Sequence, residues 1–314
     1  MLRGKLLVIG AGDIGRRVIG RLGAQQDVTA VTSTSGARGA LRRRRAKPVL
    51  ADLDKPGTLT RAPRDWDLLL HCAPPPARGT RDSRTRNILR VWNRSAGIGH
   101  KRASLTCSPC LPPARVVVYL STSGIYGDCG GARITESRPP APRNARAVRR
   151  VDAERVLIRA AKRGAFRLVI LRVPGIYSES RLPLERLRAG TPALAAPDDV
   201  YTNHIHAADL ACIALAALHR LQKRMQPRVR IYHASDDSEM KMGDYFDLVA
   251  DTFGLPRPPR LPRAQIAQAV SPALLSFMAE SRRLDNARLK RELPIEWNAR
   301  TVAQGVAAAK AKTG

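Results

Sequence analysis

Lys5-Leu6-Leu7-Val8-Ile9-Gly10-Ala11-Gly12-Asp13-Ile14-Gly15 is an apolar run that breaks into three spaced glycines. Leu6 to Ile9 shows no polar alternation, the pattern of a strand buried on both faces. Beyond the glycines Ile14, Val18 and Leu22 recur every four residues, which marks one face of a helix. A strand that feeds a helix through GxGxxG brings backbone amides and the positive end of the helix dipole to one point, where a pyrophosphate can bind. Gly10 permits the tight turn, Gly12 the close approach of a phosphate, and Gly15 close packing of helix on strand. The expected cofactor contacts of this loop are Gly10, Gly12, Asp13, Ile14 and Gly15.

Working outward, strands are expected at 28–32, near 49–51, and at 67–73, 115–121 and 168–173, with helices at 87–96 and 148–163. Strands alternating with helices predict an α/β fold, a Rossmann-type doubly wound parallel sheet. After Pro174 the pattern lapses into a loop-rich stretch to Tyr201, with one short basic helix around 184–187. An amphipathic helix follows at 207–221, then a strand at 230–234 and a helix at 244–253 capped by Asp244. Ser271-Pro272 reads as the start of another helix, and 285–293 as one more, stopped by Pro294. The expected organisation is an NAD(P)-binding Rossmann domain at 1–173, completed by about 204–235. A smaller discontinuous C-terminal lobe at 174–203 and 236–300 would bind the substrate, with the active site at the carboxyl ends of the strands. Residues 97–115 fit neither part and read as an exposed mobile insertion. The insertion's Cys107 and Cys110 have no second ligand pair, so no metal site is expected.

The chain has 314 residues, 55 Lys and Arg against 26 Asp and Glu, and a formal charge of +29. Only ten of the basic residues are lysine, the signature of codon bias in a GC-rich genome. Such a surface admits nucleic-acid binding as a competing function. Aromatic residues at 4% leave few rings to stack on bases, which disfavours it. No apolar run reaches the roughly 18 residues of a membrane helix, and the N-terminal apolar stretch ends at Asp13, too early for a signal peptide. A soluble cytoplasmic protein is expected. Five cysteines, an odd number, do not form a disulfide framework.

The end of the second strand separates the two nicotinamide dinucleotides. Val31-Thr32-Ser33-Thr34-Ser35-Gly36-Ala37-Arg38 contains no acid to hold the 2′-hydroxyl of NAD. Thr32, Ser33 and Arg38 can instead receive a 2′-phosphate, which favours NADP while leaving NAD open.

These motifs, in this order, resemble the extended, atypical short-chain dehydrogenase/reductase superfamily of NAD-dependent epimerase/dehydratase type. The matching segments are the glycine loop; Asp52-Leu53; Ala73-Pro74-Pro75; Tyr119-Leu120-Ser121-Thr122-Ser123-Gly124-Ile125-Tyr126-Gly127; Leu171 to Tyr177; and His204 to Ala211. The resemblance implies that Asp52 and Leu53 contact adenine, that Ala73 and Pro74 meet the cofactor, and that Pro174, Gly175 and Ile176 lie beside the nicotinamide. It also implies a catalytic Ser/Thr, then Tyr-x-x-x-Lys on the next helix. Thr122 stands at the hydroxyl position. The helix segment Arg149-Arg150-Val151-Asp152-Ala153-Glu154 registers Arg146 on the Tyr and Arg150 on the Lys. Arginine stays protonated, so neither can act as a general base, though Arg150 can bind ribose or phosphate. The catalytic candidates are therefore Thr122 and Tyr126, with Tyr177, His204 and His206 as further proton carriers or structural groups. The leading expectation is an epimerase/dehydratase-like oxidoreductase with a degenerate Tyr–Lys pair, acting on an unassigned small molecule. A non-catalytic dinucleotide-binding sensor or scaffold is the alternative. Homodimerisation is left open, and no membrane partner is expected.

Overall fold

In the computed structural model, which describes residues 2–93, 115–222 and 227–312, the first apolar run is strand β1, Leu6–Ile9, with every residue buried. The other strands of the central sheet are β2 (Val28–Thr32), β3 (Lys47–Leu50), β4 (Leu68–His71), β5 (Val116–Thr122), β6 (Arg167–Val173) and β7 (Val229–His233). They form one seven-stranded parallel sheet in the order β7-β6-β5-β4-β1-β2-β3. Leu6 of β1 pairs with Val28 on one side and Leu68 on the other, and Leu68 pairs in turn with Val116. The order reverses between β1 and β4, and in open α/β sheets such a reversal opens a crevice at the carboxyl ends of the strands.

Helices α1 (Asp13–Gly20), α2 (Ala37–Arg43), α3 (Ser83–Asn93), α4 (Ala145–Lys162) and α5 (Ala207–Gln222) follow their strands. Helix α1 ends before Leu22, so Ile14, Val18 and Ile19 are its buried apolar residues. Helix α3 begins at Ser83, ahead of the expected 87, because the Asp82 carboxylate accepts the Thr85 amide at 2.9 Å and caps it. The expected insertion lies outside the described residues except for Arg115, and so do Cys107 and Cys110.

Contacts divide the chain into two compact units. The first comprises Met1–Ser121, Ala145–Leu171 and Ala211–Ile231. Its core is built on Leu7, Ile9, Leu69, Val117, Leu168 and Ile170, with Trp66 and Trp92 meeting edge to face at 5.5 Å. The second comprises Thr122–Asn144, Arg172–Leu210 and Tyr232–Gly314, and thus contains both expected lobe segments and more. Within it, helices α6 (Met242–Phe253) and α7 (Val302–Ala311) pack on Tyr177, Leu187 and Ala193. Two expectations are corrected here. Asp244 is not the cap of α6 but lies inside its first turn, where it accepts the Lys241 amide at 3.3 Å. The stretch after Pro174 also carries order: Gly175–Tyr177 pairs in parallel with His204–His206. The start of the Ser271-Pro272 helix is as expected, with the Ser271 hydroxyl accepting from Leu274.

Candidate functional site

The three glycines of the first loop answer three different steric demands. Gly10 has φ +86°, and a Cβ there would lie 2.6 Å from the Ala73 amide nitrogen, so only glycine fits between β1 and the end of β4. A Cβ on Gly15 would lie 2.7 Å from the Gly10 carbonyl, which holds α1 close under the loop. A Cβ on Gly12 would meet nothing within 4 Å. Space therefore lies open in front of Gly12, at the end of α1 where first-turn amides lack intrahelical acceptors. Asp13 is half-buried and accepts Arg17 Nε at 2.9 Å, so its charge is balanced one turn on. Ile14 is buried and anchors the helix, leaving only its backbone for a ligand.

At the end of β2, Thr32 is buried and its hydroxyl accepts the Thr34 amide at 3.2 Å, shaping the turn. Ser33 and Arg38 are exposed, and the first turn of α2 carries no acid. Asp52 accepts the Asp54 amide at 2.9 Å, while Leu53 is buried and its carbonyl receives Asn87 Nδ2 at 2.9 Å.

Ala73 and Pro74 follow β4, and there the first unit holds a buried cation. Arg150 Nη1 donates to Tyr119 Oη at 2.8 Å, to the Leu120 carbonyl at 2.9 Å and to the Ala73 carbonyl at 3.4 Å. Burial, followed by the Arg150 charge, pushes His71 down to about 3. Burial holds the Cys72 thiol up at about 12, against the pull of Arg150. Burial likewise lifts Tyr119 to about 12. None of these three exchanges a proton near neutral pH. Neighbouring Ser121 donates to the buried Glu154 at 2.6 Å, which ties α4 to β5.

The remaining candidates belong to the second unit. Thr122 is half-buried, and its Oγ1 accepts the Gly124 amide at 3.2 Å, leaving the hydroxyl proton available. Tyr126 is fully buried. Its hydroxyl lies 2.6 Å from His233 Nε2 and accepts Arg172 Nη1 at 2.6 Å. His233 Nδ1 faces the Asp285 carbonyl at 2.9 Å, so Nδ1 carries the proton, Nε2 accepts, and Tyr126 donates. Burial first pushes His233 down to about 4. This knot is set by Arg172 and His233, partners 46 and 107 residues away in the chain, and no sequence motif announced it. Pro174 and Ile176 are half-buried and Gly175 is exposed. Tyr177 is buried, and its hydroxyl donates to the Thr301 carbonyl at 3.3 Å. Burial raises the Tyr177 pKa and lowers His204 to about 4, so neither exchanges a proton near neutral pH. His206 Nδ1 lies 3.9 Å from Asp209 and its ring lies against Tyr177. Thus the glycine loop, Asp52, Ala73 and Arg150 belong to one unit, and Thr122, Tyr126 and the Pro174–Ile176 segment to the other.

A family model described as the NAD dependent epimerase/dehydratase family matches residues 6–229. A search of curated proteins finds no match. Among solved structures, a functionally unknown conserved protein from Silicibacter pomeroyi shares 26% identity at a TM-score of 0.76, with 99% of each chain covered. A UDP-glucose 4-epimerase from Thermotoga maritima, solved with UDP-glucose, shares 16% identity at a TM-score of 0.73, with 98% of each chain covered. A UDP-glucuronic acid 4-epimerase from Bacillus cereus, in complex with NAD, shares 16% identity at a TM-score of 0.70 over 98% of this chain and 97% of that one. The two epimerase likenesses concern the fold.

Proposed function

The chain belongs to the NAD dependent epimerase/dehydratase family, and from that premise we propose that it binds a nicotinamide dinucleotide on the glycine loop after β1, NADP(H) in preference to NAD(H), as an epimerase/dehydratase-like oxidoreductase of an unassigned metabolite. The observation that carries this reading is the contrast among the three glycines. Gly10 and Gly15 are filled against by the protein itself, whereas the space before Gly12 is left open. The preference for NADP(H) is supported by the exposed Ser33 and Arg38 and by the absence of an acid from the first turn of α2. A 2′-phosphate gains charge-assisted hydrogen bonds from such groups.

The bound nicotinamide would supply the hydride chemistry. The chain's own residues bind and orient. First-turn amides of α1 would receive the pyrophosphate and Arg38 the 2′-phosphate, and Thr122 would offer a hydroxyl proton to a substrate oxygen. The Tyr–Lys proton relay of the resemblance is replaced by Arg146 and Arg150, and arginine is a residue of anion recognition rather than a general base. A second reading, a non-catalytic dinucleotide-binding sensor, is favoured by one specific observation: the Tyr126 hydroxyl is already engaged by both His233 and Arg172.

NADPH and NADH fluorescence titrations test the cofactor assignment. NADPH binds more tightly to the wild type, and Arg38→Ala narrows the gap by weakening NADPH alone. A preference for NADH, or an unchanged gap in Arg38→Ala, overturns the 2′-phosphate assignment.

A further inference from the structure

The first turns of α4 carry a concentration of positive charge that the dinucleotide reading does not use. Arg146, Arg149 and Arg150 fall within the first six residues of this helix, and its first turn contains no acid. Spacings of three and four residues place such side chains on neighbouring parts of one helix surface. The α4 dipole adds its own positive end to the same place, where cations are unfavourable and anions favourable. Arg149 and Arg150 are each 6% exposed, and the Nε atom of each is buried without a hydrogen-bond partner among the described residues.

No ion pair closes on these charges among the described residues, although the buried Asp82 carboxylate acts on Arg150 through space. Arg149 Nη1 donates to the Gly79 carbonyl at 2.7 Å, and Arg150 donates to the carbonyls of Ala73 and Leu120 and to Tyr119. All these acceptors are neutral. The nearby carboxylates hold other contacts as well: Asp82 caps α3 while also feeling the Arg150 charge, Asp152 pairs with Arg86 at 2.6 Å, and Glu154 accepts from Ser121. Among the described residues none of the three arginines forms an ion pair. Desolvation, then the charges of Arg150 and Arg149, holds Arg146 below the ordinary arginine value. Arg149 and Arg150 are taken out of water, which is costly for charges without an ion-pair partner, whereas Arg146 is exposed and open to a ligand; a bound anion lowers the cost. The contact with Ala73 puts Arg150 just beyond β4, the contact with Gly79 puts Arg149 on the loop between β4 and α3, and Ala73 lines the glycine loop through Gly10.

We propose that Arg146, Arg149 and Arg150 form an oxyanion clamp for a substrate that carries a phosphate or carboxylate group. Where the family pattern has a proton relay, this chain has a recognition site for an anionic metabolite. The substrate's place beside the nicotinamide rests on the dinucleotide reading, but the clamp itself needs no cofactor.

The test uses the full chain with inorganic phosphate and malonate as probes, followed by calorimetry at constant ionic strength. Wild type binds at least one probe saturably, and which one distinguishes a phosphate-bearing from a carboxylate-bearing substrate. The Arg146 side chain makes no hydrogen bond among the described residues, so Arg146→Gln keeps the fold, which a melting curve checks. It weakens binding by about tenfold or more, the effect of one charge-assisted contact. Arg159→Gln, exposed on the far end of the same helix, leaves binding unchanged. Gly12→Asp also leaves probe binding unchanged while blocking NADP, so failure of the clamp and failure of the cofactor site are read separately. Equal binding in wild type, Arg146→Gln and Arg159→Gln overturns the proposal. Competitive displacement of phosphate by NADP also overturns it, because the clamp would then hold the cofactor's own phosphate.

Discussion

Tyr126 illustrates how a residue's neighbours decide its role. Its hydroxyl bridges Arg172 and His233 in the interior of the second unit. Tyr126→Phe therefore leaves a buried His233 nitrogen unpaired, and stability falls by about 1–3 kcal/mol in urea unfolding. An unchanged urea midpoint combined with lost turnover would instead make Tyr126 the proton donor. Asp236 gives a pH-dependent prediction. Its Oδ2 is buried without a hydrogen-bond partner among the described residues. Burial above all, with Asp237 and Asp209 adding repulsion, raises its pKa from 3.8 to about 8. Between those values the unfolded chain ionises while the folded one keeps the proton, so stability declines as pH rises, the loss being complete above about 8. The buried histidines act on the acid side. His71 at about 3, and His204 and His233 at about 4, lie below the 6.5 of free histidine. Their contribution is present above that value and is lost as pH falls through the folded values. Urea midpoints across this range decline towards both ends. Asp236→Asn flattens the alkaline limb and leaves the acid limb, and an unchanged alkaline limb would refute the Asp236 assignment.

Elements were legible in the sequence wherever apolar residues formed a clear stripe or run. Strand β2 matches its expected bounds, and β1, α4 and α5 fall within a few residues of theirs. The glycine loop was legible because a turn, a close approach and a helix start each demand glycine. Helix α7 was not legible. Val302-Ala303-Gln304-Gly305-Val306-Ala307-Ala308-Ala309 is mostly small residues, and alanine marks neither a buried nor an exposed face. The pairing of Gly175–Tyr177 with His204–His206 was missed because strands of three residues are too short to show periodicity. The Tyr126 knot was missed because its partners come from distant segments. Helix α7 earns its place through Gly305, where a Cβ would meet the buried Tyr177 hydroxyl, leaving no room between helix and ring. Gly305→Val should destabilise the protein by about 1–3 kcal/mol, the usual cost of overpacking. Limited proteolysis then cuts near residue 300 faster than in wild type, whereas equal rates would mean that α7 docks by other contacts.

For the whole molecule the charge of +29 is the dominant composition feature. Among the described residues no helix is long and apolar enough to cross a membrane. If the arginine excess is a tolerated surface, nucleic-acid binding is weak, unselective and steeply reduced by salt, because release of condensed counterions drives it. Tight binding to one sequence at physiological salt would promote nucleic-acid recognition to the main function. The central claim is that a nicotinamide dinucleotide lies against the open space before Gly12, and calorimetric titration of NADP into wild type and Gly12→Asp tests it most directly. The account predicts saturable, one-to-one binding to wild type and none to Gly12→Asp, with both proteins melting alike because a Cβ at Gly12 meets nothing within 4 Å. Binding that survives in Gly12→Asp would contradict it.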